Sequence, residues 1–317
     1  MVLIRFVKYA DIDKSRWDTC IENAINGKVY GYSWYLDIVC RQWNALIEDD
    51  YIAVFPLPSG RKLFVSYVYQ PFFTQQLGVF SCKHLTSAVV REFIGCLPKR
   101  YKYIDINLNT LNKSGDLKCR KIPQLNHELD LIFPYADLVH KYSQNTHRNI
   151  KRALQSSISL SSSPSPDDLV QLFRQNRGKQ LTHLSNDAYA ILLRLINACI
   201  HRGIAEVMGA YTDRMELCAG AIFVRSHEKA IFLFSAVNAE ARTNGAMSLI
   251  INQFIRQNAG SHLTLDFEGS NDPDLARFYK SFGATALTYQ RVIMSKIPGL
   301  VTIVLPVVRR IQGRPLS

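Results

Sequence analysis

The sequence predicts an α/β protein built from two related halves, and three observations support this fold class. The chain has 317 residues, about twice the length of a typical single domain. Helical and strand-like segments alternate from Asp167 to Ser295. The first half repeats part of that alternation. We therefore predict two tandem domains, the first spanning 1–150 and the second 151–317.

The second half is predicted to contain two helices, three meandering strands, a helix, a strand, a helix and a last strand. Apolar residues at helical spacing predict the first two helices at Asp167–Arg177 and Asn186–His201. Short polar turns separate the runs IAEVMGAYT, LCAGAIFVRS and KAIFLFSAV, which predicts three strands. The remaining segments are a helix at Ala246–Asn258, the strand HLTLDFEG, a short helix at Asp274–Ser281 and the strand TALTYQRVIMS.

The first half follows the same plan with one insertion. YIAVFPLPSGRKLFVSYVY matches CAGAIFVRSHEKAIFLFSAV, HLTSAVVREFIGCL matches the later helix, and YKYIDINLN matches HLTLDFEGS. Ala53 and Asp105 are 52 positions apart, whereas Ala221 and Asp266 are 45 apart, and the surplus of seven fits the insert QPFFTQQ at Gln70–Gln76. This self-similarity predicts a duplication. The alternative is a coincidence of common α/β elements.

The chain is basic, with 38 Lys and Arg against 26 Asp and Glu and a formal net charge of +12. Such an excess of positive charge favours an anionic partner. Nucleic acid, a phosphorylated cofactor and a membrane surface all fit, and the charge does not choose among them. The segment Ile297–Gly313 contains an apolar run followed by Arg309 and Arg310. We interpret it as a packed tail, with a membrane-surface tether as the alternative.

The cysteines and the start of the chain indicate the compartment. Seven cysteines without a CxxC pair are typical of reduced thiols, and their spacing predicts no zinc site. The start MVLIRFVKYADIDKSRW carries a charge within five residues and is interpreted as a first strand. No run approaches the roughly 20 apolar residues that a spanning helix needs. We therefore expect a cytoplasmic protein that needs no metal.

The segment between Pro134 and Pro166 is predicted to contain the domain boundary. HKYSQNTHRNIKRALQSS begins as a basic helix, and the Ser/Pro-rich stretch ISLSSSPSP follows it. We place the first strand of the second domain at Ser157–Ser161.

Two features give the chain a resemblance to a known family. Gly245 lies at a strand-to-helix junction, and ARFYKSFGA (276–284) follows the next strand, an order that resembles the GNAT acyltransferases. RNIKRA (148–153) joined to LDFEGS and DLARFYKSFGA resembles the tandem-GNAT proteins related to Fem-type peptidoglycan-bridge transferases. The resemblance implies two GNAT-like domains, each a mixed, largely antiparallel sheet flanked by helices. It also implies an N-acyltransferase that moves an acyl group from acyl-CoA to an amine acceptor.

The GNAT resemblance implies an acyl-CoA site at the helix that follows KAIFLFSAV. A helix N-terminus offers unpaired N–H donors and a partial positive charge to phosphate. Gly245 permits close approach and Arg242 adds a charged donor, but Met247 stands where the GNAT loop has a small residue. The alternative is a glycine-containing turn before a core helix. The candidate cofactor-binding residues are Asn238, Arg242, Asn244, Gly245, Ala246, Met247 and Ser248.

Two acids and a tyrosine are the candidate catalytic residues. Side chains alternate along a strand, so Asp266 and Glu268 are expected to share one face at the end of HLTLDFEG. We expect Glu268 to deprotonate the acceptor ammonium and Asp266 to orient it. The resemblance implies that Tyr279 protonates the leaving thiolate. The alternative is that these residues are structural, serving as a cap, a turn residue and a packed ring.

A loop of the first domain is the candidate acceptor site. YQPFFTQQLGVF combines aromatic and amide side chains and is similar to bacterial members of the Fem-related group. We expect it to line a groove for a peptide or sugar, with packing between the domains as the alternative. The first domain lacks the Arg-x-x-Gly core and is predicted to be non-catalytic. The candidate substrate-binding residues are Tyr69, Phe72, Phe73, Gln75 and Gln76, together with Arg148 of the basic helix.

Two further functions stay open. Fem-type relatives take an aminoacyl group from tRNA, and the chain would then act on a cell-wall precursor. The basic helix around Arg148 and Arg152 would contact RNA phosphates, although the chain has no heptad stretch for a coiled-coil arm. The third possibility is a non-catalytic, ligand-binding relic of the fold, which Met247 favours.

Overall fold

The computed structural model describes residues 3–40, 42–62, 64–83, 85–161, 164–181, 184–269 and 271–296. The chain divides into two compact units, the first comprising Met1–Gln124 and Thr288–Ser317 and the second Leu125–Leu287. The tail at 297–313, with its packed and membrane-bound alternatives, lies outside the described residues. Within the described ranges, no helix has the length and apolar character needed to cross a membrane.

Strands and helices alternate along the chain. The strands are β1 (Ile4–Val7), β2 (Trp43–Glu48), β3 (Ala53–Lys62), β4 (Val65–Tyr69), β5 (Phe80–Ser81), β6 (Tyr101–Leu108), β7 (Arg120–Asp130), β8 (Ser159–Ser161), β9 (Ala205–Tyr211), β10 (Leu217–Ser226), β11 (Lys229–Val237), β12 (Thr264–Asp266) and β13 (Thr285–Ser295). The helices are α1 (Lys14–Asn23), α2 (Ser33–Val39), α3 (Ser87–Gly95), α4 (Tyr135–His140), α5 (Gln144–Gln155), α6 (Pro166–Gln175), α7 (Asn186–His201), α8 (Ala239–Asn244), α9 (Ala246–Asn258) and α10 (Pro273–Lys280).

In the first unit the strand order is β1-β2-β3-β4-β6-β13, with β5 beside β3. β4 and β6 run parallel, whereas the pairs β1–β2, β2–β3, β3–β4 and β6–β13 are antiparallel. The indole rings of Trp17 and Trp43 are both fully buried, with centroids 4.9 Å apart, and mark its core.

The last strand completes the first unit through a buried ion pair. Residues 290–295 of β13 pair with β6. Arg291 Nε and Nη2 donate to the two carboxylate oxygens of Asp105 at 2.6 and 2.5 Å, and Asp105 is 1% exposed. Burial lowers the pKa of Arg291, but the hydrogen bonds and charge of Asp105 outweigh it, so the pKa is raised. The guanidinium therefore stays charged against a carboxylate that water does not reach.

In the second unit the strand order is β7-β12-β11-β10-β9-β8. β11 and β12 run parallel, whereas β7–β12, β10–β11, β9–β10 and β8–β9 are antiparallel. α9 lies in the core: every residue from Ala246 to Ile251 is buried, and the Phe254 ring stacks on Phe223 at 3.9 Å. A helix that is covered on all sides is typical of a domain centre.

The two units share one plan, which confirms the predicted fold class. Each has an antiparallel hairpin, β3–β4 or β10–β11, whose second strand is joined through a helix to a parallel neighbour. Each sheet is mixed and largely antiparallel, and helices flank it. The predicted strands and helices of the second half appear in the predicted order.

The division between the units differs from the predicted boundary at residue 150. Residues 125–150 group with the second unit, because α5 packs along α9 and its Asn149 backbone touches Gly245. Residues 288–296 group with the first unit, because β13 pairs with β6. Contacts between residues that are distant in the sequence decide both assignments.

A short helix, α8, lies before α9, at the strand-to-helix junction where the sequence predicted no helix. Asn238 caps α8 by accepting a hydrogen bond from Ala241 N at 2.8 Å. The Ala-Glu-Ala-Arg sequence that follows has high helix propensity. Gly245 ends α8 in the left-handed conformation, with φ of 82°, as is common at helix C-termini.

Candidate functional site

The two parallel strands of the second unit separate after a short ladder. β11 and β12 pair over three residues each, the last pair being Ile231↔Asp266. β12 ends there, whereas β11 continues to Val237, and the described part of β11 beyond Ile231 has no ladder partner on β12. The ladder between the two strands is therefore interrupted between 232–237 and the chain that follows Asp266. We call this gap the β11–β12 opening.

A bulge in β11 lies next to this opening. Ile222 of β10 faces Phe234, but the following residue, Phe223, faces Phe232, so that Leu233 is an extra residue in β11. A bulge bends its strand and increases the local twist. β11 therefore bends within a few residues of the point where its pairing with β12 ends.

The two candidate acids lie at the edge of the opening in unequal environments. Asp266 is fully buried, and its Oδ1 accepts a hydrogen bond from Glu268 N at 2.8 Å. Glu268 is partly exposed and has a left-handed backbone, with φ of 60°. Because β12 ends at Asp266, the alternation on which a shared face was predicted does not extend to Glu268. The Asp266 carboxylate instead holds the Glu268 main chain.

Tyr279 lies beside these residues on α10. Asp272 caps this helix by accepting from Asp274 N at 2.9 Å, and Pro273 occupies the first turn. The Tyr279 ring is 8% exposed and stacks on Phe267, with centroids 5.0 Å apart. Burial raises the pKa of Tyr279 far above its usual value, and the charges of Glu268 and Asp272 raise it further. The phenol is therefore protonated at neutral pH.

His127 on β7 is a site residue that the sequence analysis did not identify. Its main chain pairs with the end of β12: Phe267 N donates to His127 O at 2.9 Å, and His127 N donates to Glu268 O at 3.2 Å. The imidazole is fully buried, 5.9 Å from the Tyr279 ring, and neither ring nitrogen has a hydrogen-bond partner among the described residues. Burial, followed by the charge of Lys280, lowers its pKa. Only the pairing of β7 with β12 brings this histidine to the site, so no local pattern indicates it.

The predicted acyl-CoA site, with candidate residues from Asn238 to Ser248, includes the α8–α9 junction at Thr243–Ala246. Asn244 Oδ1 accepts from Ala246 N at 2.9 Å, so the side chain caps the first residue of α9. Met247 is 9% exposed and Ser248 is 3% exposed. A Cβ added to Gly245 would lie 2.3 Å from Asn149 O, which shows that the α5 backbone covers the glycine. The start of α9 is therefore capped and largely covered by the chain itself.

Three exposed arginines lie on the segments that meet at this junction. Arg152 of α5 donates from Nη1 to Thr243 O at 2.8 Å, at the end of α8. Arg148 lies one turn earlier on the same side of α5, and Arg242 directly precedes Thr243. All three side chains are exposed. We call these three side chains the arginine patch.

In the first unit, the insert of seven residues occupies the place that corresponds to the opening. After the parallel ladder of β4 and β6, the chain at Gln70–Leu77 continues beside β6. Gln70 Oε1 accepts from Asn107 N at 3.0 Å, Gln75 O accepts from Asn107 Nδ2 at 2.7 Å, and Leu77 N donates to Asn107 O at 2.8 Å. This loop thus forms hydrogen bonds with main-chain groups of β6 that lie beyond the ladder between β4 and β6.

Two of the predicted acceptor residues are buried in that loop. Gln76 is fully buried, its Oε1 accepts from Thr110 N at 3.0 Å, and its Nε2 donates to Gln75 Oε1 at 2.7 Å. Tyr69 is 7% exposed and packs beside Tyr67. These amide and phenol groups have structural contacts within the first unit.

The two phenylalanines of the loop are partly exposed. The Phe72 and Phe73 rings are 5.9 Å apart. Phe73 has a φ of 57°, and its carbonyl accepts a hydrogen bond from the Tyr35 hydroxyl. Gln75 is also partly exposed. Of the predicted acceptor loop, these side chains are the ones that solvent reaches.

The described residues contain no group of three or more His, Cys, Asp and Glu side chains that could hold a metal ion. No protein-family model and no curated protein matches the sequence.

Solved structures, by contrast, are similar to the whole chain. FemX gives a TM-score of 0.61 at 12% identity, with 89% of this chain and 96% of that chain covered. A conserved protein of unknown function from Bacteroides thetaiotaomicron VPI-5482 gives 0.58 at 12% identity, covering 93% and 100%. L-PGS from Bacillus licheniformis gives 0.55 at 11% identity, covering 96% and 98%. Likeness at such identities concerns the fold alone, and the chain has a GNAT-like fold of the Fem type.

Proposed function

We propose that the second unit is a transferase that moves an acyl or aminoacyl group from an activated carrier to an amine acceptor. The observation that carries this proposal is the β11–β12 opening, which has Glu268 and Tyr279 at its edge. Acyl transfer needs a place where a carbonyl carbon meets main-chain donors, a base and an acid. The fold shared with FemX and L-PGS supports the same class.

The reaction proceeds by direct attack of the amine. Glu268 takes a proton from the acceptor ammonium, and the free amine attacks the carbonyl carbon of the donor. Main-chain N–H groups of β11 beyond Ile231 stabilise the negative charge that develops on the carbonyl oxygen. The bond to the carrier then breaks, and the protonated Tyr279 donates its proton to the leaving oxygen or sulfur. The nitrogen, which is cationic after the attack, gives its second proton to the Tyr279 phenolate, so the amide is neutral and the phenol is restored.

Asp266 and His127 support these steps. Asp266 is a positioning residue, because its carboxylate holds the main chain of Glu268. His127 is neutral and buried, and its ring nitrogens have no partner in the described structure. A buried polar group without a partner is costly, so we assign His127 to a hydrogen bond with a polar atom of the substrate next to Tyr279.

For the donor, the geometry favours aminoacyl-tRNA. The start of α9, which a GNAT enzyme would use for pyrophosphate, is capped by Asn244 and covered by the Asn149 backbone. The arginine patch is exposed beside it and suits an extended phosphate backbone. The acceptor would then be an amine of a peptide or cell-wall precursor, as the Fem resemblance implies.

Acyl-CoA is the second candidate donor, and one observation favours it. Arg242 and Gly245 keep the family spacing at the start of α9, and Arg242 is exposed. A pyrophosphate would then bind through the arginine side chains, with little contribution from the α9 amides.

The first unit is proposed to be non-catalytic and to shape acceptor access. The loop at Gln70–Leu77 forms hydrogen bonds with β6, at the position that corresponds to the β11–β12 opening of the second unit. The partly exposed Phe72, Phe73 and Gln75 side chains are its contact surface.

The donor classes are separated by measuring binding of a total aminoacyl-tRNA pool, of acetyl-CoA and of palmitoyl-CoA to the purified protein. We expect tRNA to bind, and three phosphate contacts would weaken that binding about 40-fold between roughly 50 and 200 mM salt. Arg148→Glu should weaken tRNA binding. It should also make the plot of the logarithm of the binding constant against the logarithm of salt concentration less steep, by about the amount that one phosphate contact contributes. Transfer of the labelled aminoacyl group to lysine-containing peptides tests the reaction itself.

Arg194→Glu is the matched control, because Arg194 is an exposed arginine of α7 in the same unit and the charge change is identical. This variant should bind tRNA like the wild type. Binding of acyl-CoA without salt-sensitive tRNA binding would assign the second donor. Binding of neither donor would favour the relic interpretation.

A further inference from the structure

We infer that Cys20 and Cys82 of the first unit form a peroxide-sensitive dithiol, which closes to an intramolecular disulfide and reopens with a thiol reductant. This inference is independent of the proposed transferase activity. It rests on the distance between the two sulfurs, on the anchoring of both backbones and on a cavity that reaches both thiols.

The two sulfurs are already close. Cys20 lies in α1 and Cys82 directly follows β5, and their Sγ atoms are 3.8 Å apart. Cys82 Sγ donates to Cys20 O at 3.4 Å. A disulfide has a sulfur–sulfur distance of about 2.05 Å, so closure needs an approach of about 2 Å. Among the described cysteines, no other Sγ–Sγ contact is present.

The backbone of Cys82 and the sulfur of Cys20 both contact the carbonyl oxygen of Ile52. Cys82 N donates to Ile52 O at 3.0 Å, and Cys20 Sγ lies 3.8 Å from the same carbonyl oxygen. Ser81 O accepts from Ile25 N, close to the end of α1, at 2.9 Å. The dithiol is thus prepositioned by hydrogen bonds that do not involve its own sulfur–sulfur contact.

A small oxidant has access to the pair. Cys82 is exposed, whereas Cys20 is 2% exposed. Both cysteines are among the residues that line a cavity of about 210 Å³, several times the roughly 30 Å³ that a water molecule occupies in the liquid. The other lining residues are Ser15, Arg16, Thr19, Asn23, Asp50 and Tyr51.

The exposed thiol reacts first. The Cys82 thiolate attacks hydrogen peroxide, which gives a sulfenic acid at Cys82 and releases hydroxide. Burial, and then the neighbouring Cys82, raise the pKa of Cys20, so its thiol stays protonated until the second step. Cys20 sulfur then attacks the sulfenic sulfur, and its proton leaves with the hydroxyl as water. Overall, two thiols and one peroxide yield one disulfide and two waters.

The test treats the reduced full-length protein with a small excess of hydrogen peroxide, blocks the remaining thiols by alkylation and identifies proteolytic peptides by mass spectrometry. We expect a cross-linked peptide containing Cys20 and Cys82, about 2 Da lighter than the sum of the reduced peptides. Dithiothreitol should remove the cross-link. The proposal is overturned if this cross-linked peptide does not form. This holds whether Cys82 is found as a sulfenic or sulfinic acid or remains a thiol.

Three variants sharpen the result. Cys20→Ser should leave Cys82 as a sulfenic acid that dimedone traps, and Cys82→Ser should leave Cys20 unreacted. Cys96→Ser is the matched control, because Cys96 is another exposed thiol of the same unit, and it should cross-link like the wild type. Equal loss of Cys20 thiol in Cys82→Ser and in the wild type would contradict the proposed order of reaction.

Discussion

Glu268 is the residue on which the local geometry of the candidate site depends. Its φ of 60° lies in the left-handed region, which costs a non-glycine residue of order 1 kcal/mol or more. The hydrogen bond from its own N–H to the buried Asp266 offsets this cost. Such strain is commonly found at functional sites, and here it turns the chain at the edge of the β11–β12 opening.

The first prediction at this scale concerns proton transfer. Glu268→Gln and Tyr279→Phe remove a base and an acid with little change of shape, so each should lower turnover by about 10²-fold or more. Steady-state rates with the donor that supports transfer check this. Tyr189→Phe is the control, since Tyr189 is a buried tyrosine of α7 in the same unit, and its rate should match the wild type. Unchanged rates in the first two variants would remove these residues from the mechanism.

The second prediction concerns the pH dependence of stability. Above the ordinary histidine pKa of about 6.5, His127 is neutral in the folded and unfolded states and contributes no pH dependence. As the pH falls below that value, the unfolded chain takes up a proton, whereas the folded pKa is lowered by burial and by Lys280. Stability should therefore fall as the pH drops towards the folded pKa.

His127→Gln removes this titration and serves as the comparison. Chemical denaturation of both proteins between pH 5 and pH 8 should show a steeper loss of unfolding free energy in the wild type on the acid side. Parallel curves would mean that His127 is not held in a neutral, buried state.

At the scale of elements, α5 packs on the α8–α9 junction and shapes the candidate carrier site. Gly245 combines a φ of 82° with the backbone of Asn149 where a Cβ would be, and Arg152 binds the last turn of α8. The glycine that indicated phosphate binding from sequence thus has a packing role. In the function that we propose, the exposed arginine side chains beside it bind the phosphate-bearing carrier.

The third prediction tests that packing role. Gly245→Ala should destabilise the second unit by at least about 2 kcal/mol, because it adds a steric clash with Asn149 O to the left-handed strain. Gly203→Ala is the control, since Gly203 has a φ of 68° and open space at its Cβ position, and it should cost only about 1 kcal/mol. Equal losses in thermal or urea unfolding would show that the chain relaxes around the added methyl group.

At the scale of the whole molecule, the chain returns to its first unit through β13. The buried pair between Asp105 and Arg291 lies at this closure. Asp105 corresponds in the repeat to Asp266, but it binds an arginine instead of the main chain of a glutamate. The two units therefore differ at this position: the aspartate of the first unit forms a buried ion pair, whereas that of the second unit borders the β11–β12 opening.

The fourth prediction follows from that ion pair. Arg291→Met leaves a buried carboxylate without its guanidinium and should cost about 3–5 kcal/mol of stability. The double variant Asp105→Leu with Arg291→Met should recover most of this loss. Arg16→Met breaks an exposed ion pair with Asp50 and should cost less than about 1 kcal/mol. Urea unfolding measures all three, and equal losses in both single variants would contradict the buried pair.

Much of the fold could be predicted because its cues are local. The hairpins, α3, α7, α9 and β13 follow from apolar periodicity and turn residues, and the insert at Gln70–Gln76 from the spacing of the repeat. The helix α8 was missed, although Asn238 and the residues after it carry its cap and propensity. Within the candidate site, Glu268 and Tyr279 had sequence cues, but His127 had none.

The sequence by itself determined the order of helices and strands, the repeated plan of the two halves and the place of the two acids at and after the end of β12, because each depends on neighbours within a few residues or on spacing. Only the tertiary structure decided where β11 and β12 separate, what covers Gly245, which unit holds β13 and which histidine adjoins Tyr279. Those features arise from contacts between segments tens to more than a hundred residues apart. Local propensity carries no information about which distant partner a strand or helix will meet.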